Sequence, residues 1–193
     1  MKKVFGLIII IMSCLLLNVK ADELPEVTDH EKVTIYIFRG HGCSHCYEAL
    51  EFFNDNQEDY ADYFEVKAYE VWNNSDNSTL MNDVAETFGD DVGGVPYIVV
   101  GDSYSVNGFS QSIGSEIIKA ALAEYENEDY TDVVKELSKG NDSLVKESLE
   151  EACKEEGIIV DPKDTIHDGI IIFVIFTVIL GGGAGLIALA RKK

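Results

Sequence analysis

Basic residues are scarce in this chain: 15 Lys and Arg stand against 35 Asp and Glu, a formal net charge of −20. Lys2, Lys3, Lys20, Arg191, Lys192 and Lys193 lie at the ends, so residues 22–168 hold every acidic side chain and few cations. A field of that sign repels phosphate backbones and anionic headgroups, so nucleic acid is excluded as a partner. Internal repeats and low-complexity stretches are lacking, which excludes a solenoid or a fibrous array. Cysteine is limited to four residues, with a single CxxC, so no second CxxC completes a structural zinc site. A length of 193 residues has room for one domain plus targeting segments.

Long apolar runs are confined to the two ends. Residues 1–21 read as a signal peptide: Lys2 and Lys3, an apolar run from Val4 to Leu17, then Val19-Lys20-Ala21 before Asp22. Cys14 lies inside that run and is expected to leave with it. Ile170 to Ala190 carry no charge and match the length one helix needs to cross a hydrocarbon core of ~30 Å. A transmembrane helix is expected over 169–190. The basic tail, 191–193, is expected in the cytoplasm and the bulk of the chain outside it. The two ends agree on that orientation.

Between them the pattern changes several times. Residues 22–31 are polar and charged and read as a mobile leader. Val33 to Phe38 is β-branched and aromatic, as a buried strand requires. Arg39-Gly40-His41-Gly42 reads as a turn, and from Cys43 the apolar spacing is helical through Cys46, Leu50 and Phe53. Phe64 to Val71 alternates as a second strand. Ser78 is an expected helix N-cap, with the helix running to about Phe88. Gly93-Gly94-Val95-Pro96 breaks the chain. Tyr97–Val100 and Tyr104–Phe109 read as a hairpin around Gly101-Asp102-Ser103. Ser115 to about Glu126 reads as a closing helix. The segment 128–168 is acidic, with one or two interrupted amphipathic helices that either pack on the domain or form a stalk above the membrane.

The chemistry concentrates in Cys43-Ser44-His45-Cys46. Cysteines three apart at a helix start close a small disulfide. The first lies where backbone N–H groups and the helix dipole stabilise a thiolate, so it is the nucleophile. The second, one turn in, resolves the mixed disulfide. The residues between them, Ser44 and His45, tune the potential, and a protonatable His45 stabilises the reduced form, giving a more oxidising centre.

A strand, a CSHC sequence opening a helix, and Gly94-Val95-Pro96 about fifty residues downstream resemble the thioredoxin superfamily. The centre is similar to the Cys-x-His-Cys sites of protein disulfide isomerases and envelope disulfide-bond oxidoreductases. The resemblance covers roughly 32–127 and implies an α/β, thioredoxin-like fold: a central mixed β-sheet flanked by helices. It also implies a cis Pro96 facing the disulfide, with the Val95 backbone pairing with an extended substrate chain. Two departures stand out. Gly42 replaces the Trp that precedes the first Cys in thioredoxins. Ile37 stands where many members place a buried carboxylate, so the proton acceptor for Cys46 is not visible.

The expected function is a membrane-anchored, extracytoplasmic thiol–disulfide oxidoreductase, leaning to oxidase or isomerase. It needs no cofactor or metal, acts on exported proteins with thiols or disulfides, and is recharged by a separate redox partner. The alternatives are a non-catalytic peptide-binding module using the Pro96 groove, or a soft-metal site built from His41, Cys43, His45 and Cys46. Cys153, beside Leu149 and Ala152, reads as a buried core residue, and Trp72 as packing.

Overall fold

The computed structural model of the chain describes residues 24–160. The expected signal peptide, the transmembrane helix at 169–190, the tail 191–193 and Cys14 lie outside the described residues. Among the described residues no helix is long and apolar enough to cross a membrane.

Strand β1 (Val33–Arg39) is buried along its whole length, because it is the central strand of the sheet and both of its faces are covered. Its β-branched and aromatic residues suit that place. Val33, Ile35 and Ile37 face one core, and Tyr36 and Phe38 face another. Helix α1 (Ser44–Asn56) follows and buries Cys46, Ala49, Leu50, Phe52 and Phe53. Phe53 is fully buried, a contribution of about 1.5–3 kcal/mol for a side chain of that size. A 3-10 turn (Gln57–Tyr60) leads into strand β2 (Phe64–Glu70), which pairs with β1 in parallel, Ile35 opposite Val66. A parallel pair cannot be closed by a tight turn, and α1 supplies the crossover.

Helix α2 (Ser75–Phe88) covers the second core, with Leu80, Met81, Val84 and Ala85 buried. Strands β3 (Tyr97–Val100) and β4 (Tyr104–Asn107) form the expected hairpin, and β3 runs antiparallel to β1. Helix α3 (Gln111–Tyr125) returns to the first core beside α1. Helix α4 (Val133–Ser138) packs near α2. Strand β5 (Lys146–Ser148) pairs antiparallel with β2, and helix α5 (Leu149–Glu155) buries Leu149, Ala152 and Cys153 in the first core. The sheet order is β4-β3-β1-β2-β5.

Several sequence expectations shift. Arg39 is the last residue of β1 and fully buried, where a turn was expected. Helix α2 starts at Ser75, ahead of the expected Ser78. The Asn74 side chain accepts from the backbone N–H of Asp76 and Asn77, and that cap outcompetes the later serine. Helix α3 starts at Gln111, ahead of Ser115, because Ser110 caps the N–H of Ile113. The second strand of the hairpin ends at Asn107, ahead of the expected Phe109. The stretch 24–31 is held rather than loose: Thr28 N–H donates to the Tyr125 hydroxyl (3.0 Å), and the Tyr63 hydroxyl donates to the Pro25 carbonyl (2.9 Å). Residues 128–160 join the packed unit through β5 and α5, where only helices were expected, and 161–168 lie outside the described residues.

Candidate active site

The site lies at the carboxyl ends of β1 and β2, the position where open α/β sheets leave loops free to carry chemistry. Three loops meet there: 40–43 after β1, 71–74 after β2, and 93–96 before β3.

Cys43 is the N-cap of α1, in extended conformation, and its sulfur accepts the Cys46 backbone N–H at 3.2 Å. The two cysteines form a disulfide with Cα atoms 5.2 Å apart. Cys46 is buried more deeply than Cys43. The first sulfur is therefore the one a partner can reach, and the helix N–H aimed at it stabilises a thiolate when the bond opens. Ser44 is exposed on the first turn of α1. His45 is 65% exposed in its side chain, and its Nδ1 lies 3.1 Å from the Glu48 carboxylate. The Glu48 contact holds the ring on the helix surface.

The Val95–Pro96 bond is cis, and the Val95 carbonyl oxygen lies 3.6 Å from the Cys43 sulfur. Asn107 Nδ2 donates to the Gly94 carbonyl (2.9 Å) and Gly108 N–H donates to that of Pro96 (2.7 Å), so the hairpin fixes this loop against the disulfide. Cys43, Cys46, Val95 and Pro96 are thus brought together at one end of the sheet.

The four residues of the soft-metal alternative do not converge on one point. The two sulfurs are bonded to each other, His45 turns to Glu48, and His41 Nδ1 sits 3.0 Å from Glu156. His41, Glu155 and Glu156 bring ligand atoms close together, but Arg39 donates to both carboxylates.

Several residues of the site were missed from sequence. Arg39 has no exposed surface, and its guanidinium donates to Glu147 through Nε (3.1 Å) and NH2 (2.7 Å), to Glu155, and to Glu156 (2.9 Å). Burial opposes its charge, but the bonds to Glu147 and Glu155 outweigh that and push its pKa up. Burial pushes the Glu147 carboxyl above its ordinary value, although Arg39 pulls the other way. Glu70 ends β2 and gathers the loops: its carboxylate accepts the N–H groups of His41 (3.3 Å), Trp72 (3.0 Å) and Asn73 (2.9 Å). Trp72, 60% exposed, has its indole against Gly40, where a Cβ would overlap the ring. The helix that delivers Glu155 and Glu156 could have been found from one signal in the sequence. Ser148-x-x-Glu151 is a capping box, with Ser148 N–H donating to Glu151 (2.8 Å), and it marks the start of the helix that ends beside the disulfide.

A shallow cavity of about 430 Å³ opens beside Cys43, walled by Tyr47, Glu48, Glu51 and Glu156. A larger one of about 520 Å³ lies at the far end of α1, between Phe52, Asn56 and Ile118, remote from the disulfide.

The mixed sheet with flanking helices, and the close Cys43–Cys46 pair at a helix start, are compatible with a thioredoxin-like fold. Comparison with protein-family models, curated proteins and solved structures returns no match.

Proposed function

We propose that this chain is a membrane-anchored, extracytoplasmic protein thiol–disulfide oxidoreductase. The observation that carries the reading is the Cys43 sulfur at the start of α1, receiving the Cys46 N–H at 3.2 Å and facing the Val95 carbonyl. In the oxidising direction a substrate thiolate attacks the Cys43 sulfur. The Cys43–Cys46 bond breaks, the electron pair leaves on Cys46, and a mixed disulfide forms. A second substrate thiolate then attacks the substrate sulfur of that bond and releases Cys43 as a thiolate. The substrate leaves with one disulfide, the protein holds the dithiol, and a separate redox partner takes the two electrons.

His45, between the cysteines, leans the centre toward oxidase or isomerase work. Val95 and Pro96 offer backbone for an extended substrate chain, as the thioredoxin resemblance implies. The apolar segment at 169–190 supplies the anchor and the basic tail its orientation.

Insulin reduction and oxidative refolding of a reduced protein test the activity. The parent is expected to exchange in at least one assay, and Cys43→Ser in neither. Equal exchange by Cys43→Ser, or none by the parent, would leave a peptide-binding module as the surviving reading. The potential then gives direction: about −120 mV marks an oxidase, about −270 mV a reductase.

A further inference from the structure

Arg39 can neutralise one carboxylate, yet three reach it from a single short stretch, Glu147, Glu155 and Glu156. Glu156 differs from the other two. Its side chain is only 7% exposed, and it reaches past the guanidinium to the loop that carries Cys43. Oε1 takes Arg39 NH1 at 2.9 Å, lies 3.0 Å from His41 Nδ1, and accepts Gly42 N–H at 3.2 Å. Oε2 accepts the same N–H at 3.1 Å. Gly42 immediately precedes Cys43, and Glu156 and Cys43 wall the same cavity.

The electrostatic sign follows from these neighbours. One guanidinium against three carboxylates leaves net negative charge beside Cys43, and Glu48 and Glu51 add to it across the cavity. Glu70 holds the other side of the loop through His41 N–H. The opposing influences are the N–H groups of α1 and, when protonated, His41 and His45. Negative charge disfavours a thiolate on Cys43, and whatever disfavours the thiolate favours the disulfide.

We propose that Glu156 is a positioning residue for the redox centre: it fixes the 40–43 loop through Gly42, and its charge lowers the reduction potential of the Cys43–Cys46 pair. This rests on reading that pair as a redox centre. The half-reaction affected is Cys43–Cys46 disulfide plus two electrons and one proton giving Cys43 thiolate and Cys46 thiol. In the test, two molecules of glutathione supply the electrons and become glutathione disulfide.

The experiment equilibrates the full-length protein and Glu156→Gln with glutathione buffers and counts free thiols by alkylation. It also follows the pH midpoint of Cys43 alkylation in the reduced protein. Gln keeps an acceptor for Gly42 N–H and removes the charge. The expected result is about a tenfold shift toward the dithiol, which is about 30 mV upward, with the Cys43 midpoint moved to lower pH. Glu155→Gln, whose side chain bonds Arg39 while Glu156 takes the Gly42 N–H, is the control and is expected to shift less. An unchanged potential and midpoint, with or without a loss of unfolding stability, would make Glu156 a structural clamp and overturn the proposal. If Glu156→Gln does not fold, Glu156→Asp decides: it retracts the charge from Gly42, and an unchanged potential there overturns the proposal equally. The potential is readable whether or not the parent turns over a protein substrate. An inert parent with a shifted Glu156→Gln would therefore remove the enzyme reading and support this one.

Discussion

Asn77 and Val145, 68 positions apart, meet through both edges of one amide: Asn77 Nδ2 donates to the Val145 carbonyl at 2.9 Å, and Val145 N–H donates to Asn77 Oδ1 at 3.1 Å. The same Nδ2 donates to the Glu70 carbonyl at 2.9 Å. A buried side chain on α2 thus ties the end of β2 to the residue that precedes β5. This contact brings the acidic segment back to the sheet and delivers Glu147, Glu155 and Glu156 to Arg39.

Asn77→Ala is expected to cost about 1–3 kcal/mol, the range for leaving buried partners unsatisfied. Asn77→Asp is expected to be no better, because a carboxylate cannot donate to either carbonyl. Denaturant unfolding measures both. A loss below about 0.5 kcal/mol for Asn77→Ala would mean that the residues after 127 do not depend on this bridge.

The parts of the fold readable in sequence were those with a local cause. The β-branched run at Val33, the helical spacing from Cys43, the break at Val95-Pro96 and the hairpin after it each state their structure within a few residues. The parts missed have distant causes. Strand β5 is Lys-Glu-Ser, with no apolar alternation, and exists only because β2 offers an open edge at Lys67–Tyr69. Arg39 read as a turn because a lone arginine after a buried strand has no partner in sequence. Its carboxylates lie more than a hundred residues further on. The CSHC centre was legible, and the charge around it was not.

Arg39→Met is expected to destabilise by about 3 kcal/mol, at the low end for breaking a buried ion pair, since Glu147 and Glu155 can turn to water. Arg39→Lys is expected to recover only part, because an ammonium cannot serve three carboxylates with a planar fork. Unfolding curves compare the three proteins. Full stability in Arg39→Met would show that the cluster is neutral for folding.

Gly42 has φ +75°, a region that L side chains avoid, and its N–H is the one Glu156 holds. Gly42→Ala is expected to cost about 1–2 kcal/mol through backbone strain. The Trp found at this position in thioredoxins would meet the same strain, so Gly42→Trp is expected to lose stability rather than gain a family feature. Equal unfolding midpoints for parent and Gly42→Trp would contradict the positive-φ turn.

Cys153 is fully buried, its sulfur 3.8 Å from the Leu50 carbonyl, and burial pushes its thiol up to about 11 from 9.0. It is expected to resist alkylation in the native protein and react only on unfolding, unlike reduced Cys43. The unfolded thiol ionises first as pH rises. The stability this thiol contributes is therefore whole below about pH 9 and lost progressively toward about pH 11. Tyr97, raised by burial and by its bond to Asp90, loses stability in the same direction above pH 10. Unfolding free energy measured across pH 8–11 checks the sign. A rise over that range would contradict both assignments.

Trp72 is the one tryptophan of the chain, so its emission reports a single place. That place is the roof of the 40–43 loop: the indole lies on Gly40, and the Trp72 N–H and the His41 N–H share the Glu70 Oε1 oxygen. Cys43 N–H donates to the Gly40 carbonyl at 3.2 Å, so the residue under the ring also holds Cys43. Opening the Cys43–Cys46 bond frees a sulfur three residues along the chain from Gly40, where the indole rests. Reduction is therefore expected to change tryptophan emission, and Cys46→Ser, which cannot form the bond, to hold it at one level in oxidant and reductant. Gly40→Ala is expected to displace the ring, since an added Cβ overlaps it, and to weaken the redox response. Identical spectra for oxidised and reduced parent would separate Trp72 from the disulfide and leave it as surface packing alone.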